Sequence, residues 1–245
     1  MKITFLGTSH GMPAADRHCS AALIETGGCC YLIDAGAPVA DLLVRRGVDM
    51  RTLKGVFTTH LHGDHAFGVI QLASLCSWAF RKTDLDIFLT EERGVELVKE
   101  LICAFDGPIA ERVRLKLMTD DTVWQDEHIR ITPMPTQHLA HLNRPAYSYL
   151  VEADGKRVLF SGDLSQWIAK DDFPAYALEN EVDLLICEFA HFHMEHIAPY
   201  LEKCKAKELI FNHVFPIAKL DEIAELDGKY AYPIRAVADG EEIEL

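Results

Sequence analysis

Long apolar runs are missing from this 245-residue chain. A membrane-spanning helix needs about 18 or more consecutive apolar residues, and no stretch approaches that length. The first residues alternate as in a β-strand, without the apolar core or the small-residue cleavage site of a signal peptide. We therefore expect a soluble, cytoplasmic protein that has no membrane partner.

Linkers and repeats are missing as well. No stretch is rich enough in proline, glycine and serine to form a linker, and no period of roughly 20 to 50 residues repeats. The composition is 49% hydrophobic, which at this length is enough to bury a substantial core. The sequence therefore predicts one compact domain over residues 1–245.

The seven cysteines form no motif of known function. They make no spaced disulfide framework, and no pair has the two-residue separation of zinc knuckles and thioredoxin-like sites. Cys29 and Cys30 are adjacent, so on a strand they would point to opposite faces and would not bind one metal. We expect reduced thiols, most of them packed.

Basic residues are scarce. The chain has 24 Lys and Arg against 38 Asp and Glu, a formal net charge of -14. Binding to long nucleic acid depends on clustered positive charge, so long nucleic acid is an unfavourable partner for this chain. Two bound divalent cations would still create a local anion site on an acidic protein.

Several short runs rich in Val, Ile, Leu and Phe lead to a residue that can bind a metal. Such runs predict buried strands, and rigid folds usually carry their chemistry in the loops beyond strand ends. The residues reached in this way are His60, His138, Asp163, Glu188 and His213. Apolar residues at three- and four-residue spacing predict helices over 37–46, 66–81, 91–105 and 197–206. The mixture predicts packed sheets with helices outside.

The strongest local signal is the segment Thr59-His60-Leu61-His62-Gly63-Asp64-His65. Residues two apart in an extended turn project to the same side, so His60 and His62 can bind one ion. Asp64 and His65 lie at the turn into a helix and can face a second ion. A single histidine here would most simply be an exposed side chain. Three histidines and one aspartate within six residues favour metal binding instead.

Three distant residues complete the expected ligand set. A catalytic zinc ion takes about three protein ligands, with imidazole nitrogen and carboxylate oxygen among the favoured types, and keeps one position open. We expect His138 to join the first ion and His213 and Asp163 to complete the second, with Asp163 bridging both. Each of these three alone is a polar residue at a core edge about as often as a ligand. Their joint burial without metal would leave costly unpaired charge, which favours the metal interpretation.

The order of these residues resembles the metallo-β-lactamase superfamily. His-x-His-x-Asp-His, a lone His, Ser-Gly-Asp and a final His after an apolar strand follow one another over nearly the whole chain. The resemblance implies an α+β fold, a four-layer αββα sandwich, with a binuclear metal site at one edge of its sheets. Asp34 matches the family's early strand-end aspartate, so we expect it, together with Glu188, to support the ligands from behind.

Further segments resemble the ribonuclease Z and phosphodiesterase branch of that superfamily. They are Leu6–Pro13 with Ser20–Ile24, and the strand Tyr147–Glu152 that leads into Ser161-Gly162-Asp163. Ribonuclease Z proper carries a long arm that grips tRNA, commonly between the third histidine and the bridging aspartate. Asp163 follows His138 by only 25 positions, which leaves no room for that arm. We expect a small-molecule phosphodiester substrate, cyclic and nucleotide-like compounds included.

The resemblance also implies a histidine that protonates the leaving group. His191, His193 and His196 lie in the matching region, where the family's usual His-Ser-Thr is absent. We expect His193 to be the general acid, with His191 and His196 as alternatives. The simplest interpretation is that all three are surface histidines before a helix. A water that bridges the two ions would have its pKa lowered to roughly 7 and would form hydroxide. Asp64 would accept the proton of this water.

Two divalent metal ions are therefore the expected cofactors. Nitrogen and carboxylate ligands suit zinc best, and Mn or Fe can occupy similar sites. Three other functions use the same fold: a lactonase or thioesterase, a tRNA 3′-processing endonuclease, and a di-iron redox or binding protein. The sequence leaves the oligomeric state open, a homodimer included.

Overall fold

The computed structural model describes residues 1–12 and 14–245, without the side chains of Ala169 and Lys170. Pro13, the last residue of the N-terminal segment noted above, lies outside the described residues. The described chain forms 14 β-strands, six α-helices and three short 3-10 helices. No helix within it combines the length and the apolar character that crossing a membrane requires.

The chain divides into two compact units. The first unit comprises Met1–Thr119 and Asp239–Glu244, and the second comprises Asp120–Ala238 with Leu245. Each unit contains one seven-stranded sheet. The expectation of one domain over residues 1–245 stays a prediction.

The first unit combines three helices with a mixed sheet. Its strands are β1 Lys2–Gly7, β2 Ala21–Thr26, β3 Cys29–Ile33, β4 Leu53–Phe57, β5 Leu85–Leu89, β6 Val113–Leu117 and β14 Glu242–Glu244. Its α-helices are α1 Val39–Arg45, α2 Gly63–Trp78 and α3 Glu92–Phe105, and a 3-10 helix covers Met50–Thr52. The strand order is β14-β1-β2-β3-β4-β5-β6. Strands β14 to β3 pair antiparallel, and β3 to β6 pair parallel.

The parallel half of this sheet explains where the helices lie in the sequence. Parallel neighbours need a long crossover connection, usually a helix, and α1, α2 and α3 follow β3, β4 and β5 in turn. All residues of β5 are buried, as expected for a strand covered on both faces. Buried side chains of the strands, such as Val56 and Ile87, belong to one core cluster with Leu43 of α1 and Leu72 of α2.

The second unit is also built on a mixed sheet. Its strands are β7 Trp124–Gln125, β8 Ile129–Pro135, β9 Tyr147–Ala153, β10 Lys156–Phe160, β11 Leu184–Phe189, β12 Leu209–Val214 and β13 Ile234–Ala236. Its helices are α4 Tyr176–Glu179, α5 Met194–Leu201 and α6 Lys219–Ala224, with 3-10 helices at Ala140–Leu142 and Gln166–Asp171. The strand order is β13-β12-β11-β10-β9-β8-β7. Strands β7 to β10 pair antiparallel, and β10 to β13 pair parallel.

The predicted mixture of sheets and helices is confirmed, with shifted helix ends. Helix α2 begins at Gly63 rather than at 66, so Asp64 and His65 belong to its first turn. An acidic residue is favourable there because the helix N-terminus carries partial positive charge. Helix α5 begins at Met194 rather than at 197. The backbone N–H of His193 donates to Nδ1 of His196, a local bond that the apolar spacing does not reveal.

The cysteines provide a test of this fold, since all seven are free. Cys103 is exposed on α3, whereas Cys76 is buried on α2, and burial raises its pKa to about 11. We expect iodoacetamide at pH 8 to modify Cys103 at least about tenfold faster than Cys76, because the thiolate is the reactive form. Mass spectrometry of proteolytic peptides measures both rates. Equal rates would contradict the burial of Cys76 on α2. As a control, the Cys103→Ala variant should lose the fast reaction.

Candidate metal centre

The segment after β4 brings two imidazoles together at nearly right angles, with an interplanar angle of 76°. His60 is fully buried, and its Nε2 lies 3.0 Å from Nδ1 of His62. Two ligand atoms on one tetrahedral zinc ion are roughly 3.3–3.6 Å apart, given zinc–ligand distances of about 2.0–2.2 Å. The two nitrogens are slightly closer than this, and they point toward each other as ligands of one ion do.

The next pair of predicted ligands lies in the first turn of α2. Nε2 of His65 lies 3.4 Å from Oδ2 of Asp64, the spacing of two atoms on one ion. A close backbone contact fixes this turn against the end of β3. The N–H of Ala35 donates to the carbonyl of His65, and the N–H of Gly68 donates to the carbonyl of Ala35. A Cβ at Gly36 would collide with the carbonyl oxygen of Asp64, so the approach requires glycine.

Asp34 orients this cluster from behind. Its buried carboxylate lies 2.7 Å from Nδ1 of His65 and accepts the backbone N–H of Thr59 at 2.7 Å. The Thr59 hydroxyl also donates to Asp34, and its oxygen lies 3.0 Å from Nδ1 of His60. Because a carboxylate only accepts, Nδ1 of His65 carries the proton, and the hydroxyl accepts from Nδ1 of His60. In both rings the Nε2 lone pair is left to bind metal.

In the second unit, the carboxylate of Asp163 lies next to two imidazoles. It follows β10 in the Ser161-Gly162-Asp163 turn and is 3% exposed. Its Oδ2 lies 3.6 Å from Nε2 of His138, and its Oδ1 lies 3.5 Å from Nε2 of His213. The two oxygens of one carboxylate therefore face two different imidazoles. This is the geometry of a carboxylate that can bridge two cations.

His138 is held in the form that binds metal. Its Nδ1 donates to the carbonyl of Leu164 at 2.9 Å, which turns Nε2 toward Asp163. Burial lowers the pKa of His138, which favours the neutral imidazole that coordinates cations. The carboxylate of Asp172 accepts the backbone N–H groups of Gln137 and Ser165, and so connects the two segments. Burial raises the pKa of Asp172 to about 6.

A β-bulge directs His213. In the pairing of β11 with β12, Glu188 lies opposite Asn212 and Phe189 lies opposite Val214, so His213 is the extra residue. Its φ is 53°, in the left-handed region that a non-glycine residue rarely adopts. Bulges near functional sites re-aim a side chain, and this one turns His213 toward Asp163.

Glu188 and His191 form a pair that the sequence prediction did not single out. Nδ1 of His191 lies 2.8 Å from Oε1 of Glu188, and Nε2 of His191 lies 3.8 Å from Oδ2 of Asp163. Burial of Glu188 opposes its ionisation, but the charge and hydrogen bond of His191 outweigh burial and lower the pKa of Glu188. The ring centroids of His191 and His138 are 4.7 Å apart. The three-residue spacing from Glu188 to His191 was the available sequence signal.

His193, expected as the general acid, lies in a different environment. It is exposed at the start of α5, where its ring pairs with that of His196 at 5.7 Å between centroids. His191, by contrast, lies 3.8 Å from the carboxylate of Asp163, a predicted metal ligand. The geometry therefore favours His191, one of the alternatives left open by the sequence.

Residues 1–213 match the family model of the anti-Pycsar protein Apyc1. The chain belongs to this family. Among curated relatives, ribonuclease Z of Pseudomonas putida strain GB-1 is 32% identical over 140 residues, 56% of this chain and 44% of that protein. The chain spans about half the length of the curated relatives that it matches.

Solved structures establish the fold. The metallo-β-lactamase fold protein YhfI of Bacillus subtilis is similar over 100% of this chain and 99% of its own, with a TM-score of 0.79 and 19% identity. Human tRNase Z, short form, is similar over 100% and 99%, with a TM-score of 0.74 and 20% identity. The predicted α+β class, the metallo-β-lactamase fold and the ribonuclease Z-like branch are confirmed. Within each unit, His and Asp side chains lie close enough to one another to suit divalent cations.

The carboxylate behind the first cluster can be tested directly. Asn at position 34 keeps one acceptor oxygen and loses the other, so either His65 or Thr59 loses its partner. We expect Asp34→Asn to weaken zinc binding about 10- to 100-fold, because such outer partners orient and tune the ligands. Competition with a chromogenic chelator measures the affinity. Asp49→Asn, at an exposed carboxylate that binds Arg51, is the matched control, and equal affinities in both variants would refute the role of Asp34.

Proposed function

We propose that this chain is a binuclear metal-dependent phosphodiesterase that acts on a small phosphodiester. In this proposal, which follows the ligand order in the sequence, His60, His62 and His138 would hold one ion, and Asp64, His65, His213 and Asp163 would hold the other. Asp163 would bridge the two. The supporting observation is that nitrogen and oxygen atoms within each unit lie at separations typical of ligands around one ion.

The donor set suits the proposed ions. Imidazole nitrogen and carboxylate oxygen are the ligands of zinc sites, and Mn or Fe can occupy the same chemistry. The burial of His60, His65, His138, Asp163 and His213 adds to this argument. Acidic and imidazole groups buried together are costly without compensation, and divalent cations provide it.

Bound ions would lower the pKa of a shared water to roughly 7 and neutralise charge on the phosphoryl oxygens. The residues of the chain supply the proton transfers. Asp64, on the first turn of α2, would accept the proton of the attacking water. His191 would donate a proton from Nε2 to the departing alkoxide. Glu188 holds the opposite nitrogen of that ring and stabilises its cationic form.

A small substrate is favoured by two features. The net charge of -14 disfavours contact with a long phosphate backbone. The interval of 25 positions from His138 to Asp163 contains a 3-10 helix, β9 and β10. These elements leave too few residues in it for a protruding arm. Processing of tRNA is the second candidate, because the chain is 32% identical to ribonuclease Z over 140 residues.

The substrate class is tested by one panel on protein of measured metal content. It contains bis(p-nitrophenyl) phosphate, cyclic mononucleotides, a phosphomonoester, a precursor tRNA with a 3′ extension, a lactone and a thioester. We expect turnover of the small phosphodiesters, loss of that turnover on chelation, and recovery with Zn or Mn. Turnover of only the lactone or thioester, or cleavage of only the tRNA, would refute the proposal.

Asp64→Ala is the decisive variant in this panel. We expect it to lower phosphodiester turnover by about 10³-fold or more, because a ligand and the proton acceptor are both lost. Circular dichroism should show the fold retained. Full activity in this variant would remove Asp64 from the mechanism.

A matched pair of variants distinguishes the roles of His191 and His193. We expect His191→Ala to lower kcat about 10²- to 10⁴-fold on a phosphodiester with an alkoxide leaving group, the usual contribution of a general acid. His193→Ala, at the exposed start of α5, should change kcat less than about threefold. The reverse order of effects would return the role to His193.

A further inference from the structure

Lys219 is a buried cation that the proposed chemistry does not use. It is the first residue of α6 and is 4% exposed. Its Nζ donates to the carbonyl oxygens of Phe192 at 2.5 Å, Ala190 at 3.2 Å and Phe189 at 3.3 Å. Lysine is almost never fully buried without partners. An ammonium has three donors, and here three carbonyls of one short segment receive them.

The same segment is held from its other side by Glu188. The Glu188 carboxylate accepts the backbone N–H of Ala190 at 2.6 Å and that of His191 at 3.1 Å. The peptide groups of residues 189–192 therefore face a buried anion with their N–H groups and a buried cation with their carbonyls. Hydrogen bonds to charged groups are roughly twice as strong as neutral ones, so this backbone has little freedom to shift.

His191 lies inside this doubly held segment. Its ring reaches Asp163 only because its backbone stays where Glu188 can bind both its N–H and its Nδ1. The ring of Phe189, 4.5 Å from Nζ of Lys219, packs against the same cation. The carbonyl of Phe189 also accepts the backbone N–H of Phe215 at 3.2 Å. Removal of the ammonium would take this donor from the carbonyls of Ala190 and Phe192, and the segment would move to find others.

We propose that Lys219 is a positioning residue that keeps His191 aligned for proton transfer to the leaving group. This inference rests on the proposed phosphodiesterase function. Lys219 acts through the backbone of residues 189–192, whose carbonyls accept the hydrogen bonds of its ammonium. Small displacements matter here, because a shift of about 1 Å in a catalytic group can lower a rate about 100-fold.

Leaving groups distinguish positioning of an acid from a general structural role. p-Nitrophenolate departs without a proton, whereas an alkoxide requires one. A merely structural defect lowers both rates alike. Loss of acid alignment lowers the alkoxide rate and spares the p-nitrophenolate rate.

The test compares Lys219→Met with Lys203→Met, at an exposed lysine of the same unit, in the metal-loaded full chain. The substrates are bis(p-nitrophenyl) phosphate and a cyclic mononucleotide. We expect Lys219→Met to lower kcat about 30- to 100-fold on the cyclic nucleotide and less than about threefold on the aryl ester. In the His191→Ala background the Lys219→Met change should add almost nothing. Equal losses on both substrates, or full additivity with His191→Ala, would overturn the proposal.

Hydrogen–deuterium exchange gives a readout that does not depend on turnover. The amides of Ala190 and His191 should exchange at least about tenfold faster in Lys219→Met and unchanged in Lys203→Met. Unchanged exchange in both variants would overturn the role of Lys219. Absence of phosphodiester turnover in the unaltered protein would refute the proposed function instead. If Lys219→Met does not fold, Lys219→Gln, which keeps two N–H donors without charge, should show the same split at smaller size.

Discussion

Three imidazoles of this protein, those of His65, His138 and His191, are oriented by a hydrogen bond at Nδ1, which leaves Nε2 pointing away from that partner. His65 donates to Asp34, His138 donates to a backbone carbonyl, and His191 is paired with Glu188. Each of these bonds fixes which ring nitrogen carries the proton and where the other nitrogen points. Buried imidazoles without such partners would be costly, so the fold has to supply an acceptor for each.

Backbone strain occurs next to two of the predicted ligand segments. Asp34 has a φ of 60° and His213 a φ of 53°, although neither is glycine. Such conformations cost on the order of 1–3 kcal/mol and persist only where the surroundings impose them. At Asp34 the surroundings are the bonds to Thr59 and His65, and at His213 they are the bulge in β12. In both cases the strain places a polar side chain next to a predicted ligand of its own unit, His65 for Asp34 and Asp163 for His213.

In the loop around His191, charged side chains rather than strain hold the backbone in position. Its N–H groups are bound by Glu188 and its carbonyls by Lys219. The sequence predicted a supporting role for Glu188, whereas Lys219, at the start of a short helix, was not predicted to have a role. Only their common contact with one segment of backbone connects them to the chemistry.

The sequence by itself determined the local parts of the site and the type of fold. His60, His62, Asp64 and His65 lie within one short segment, and the geometry of a strand end followed by a helix places them together. The strands that lead to Asp163 and Glu188 were also readable, because buried strands leave continuous apolar runs, and Asp34 followed from the family resemblance. Only the tertiary structure placed His191, rather than His193, beside Asp163, revealed the bulge at His213 and brought Lys219 to its three carbonyls. These features depend on contacts between residues far apart in the chain or on strand register, and neither spacing nor composition encodes such contacts.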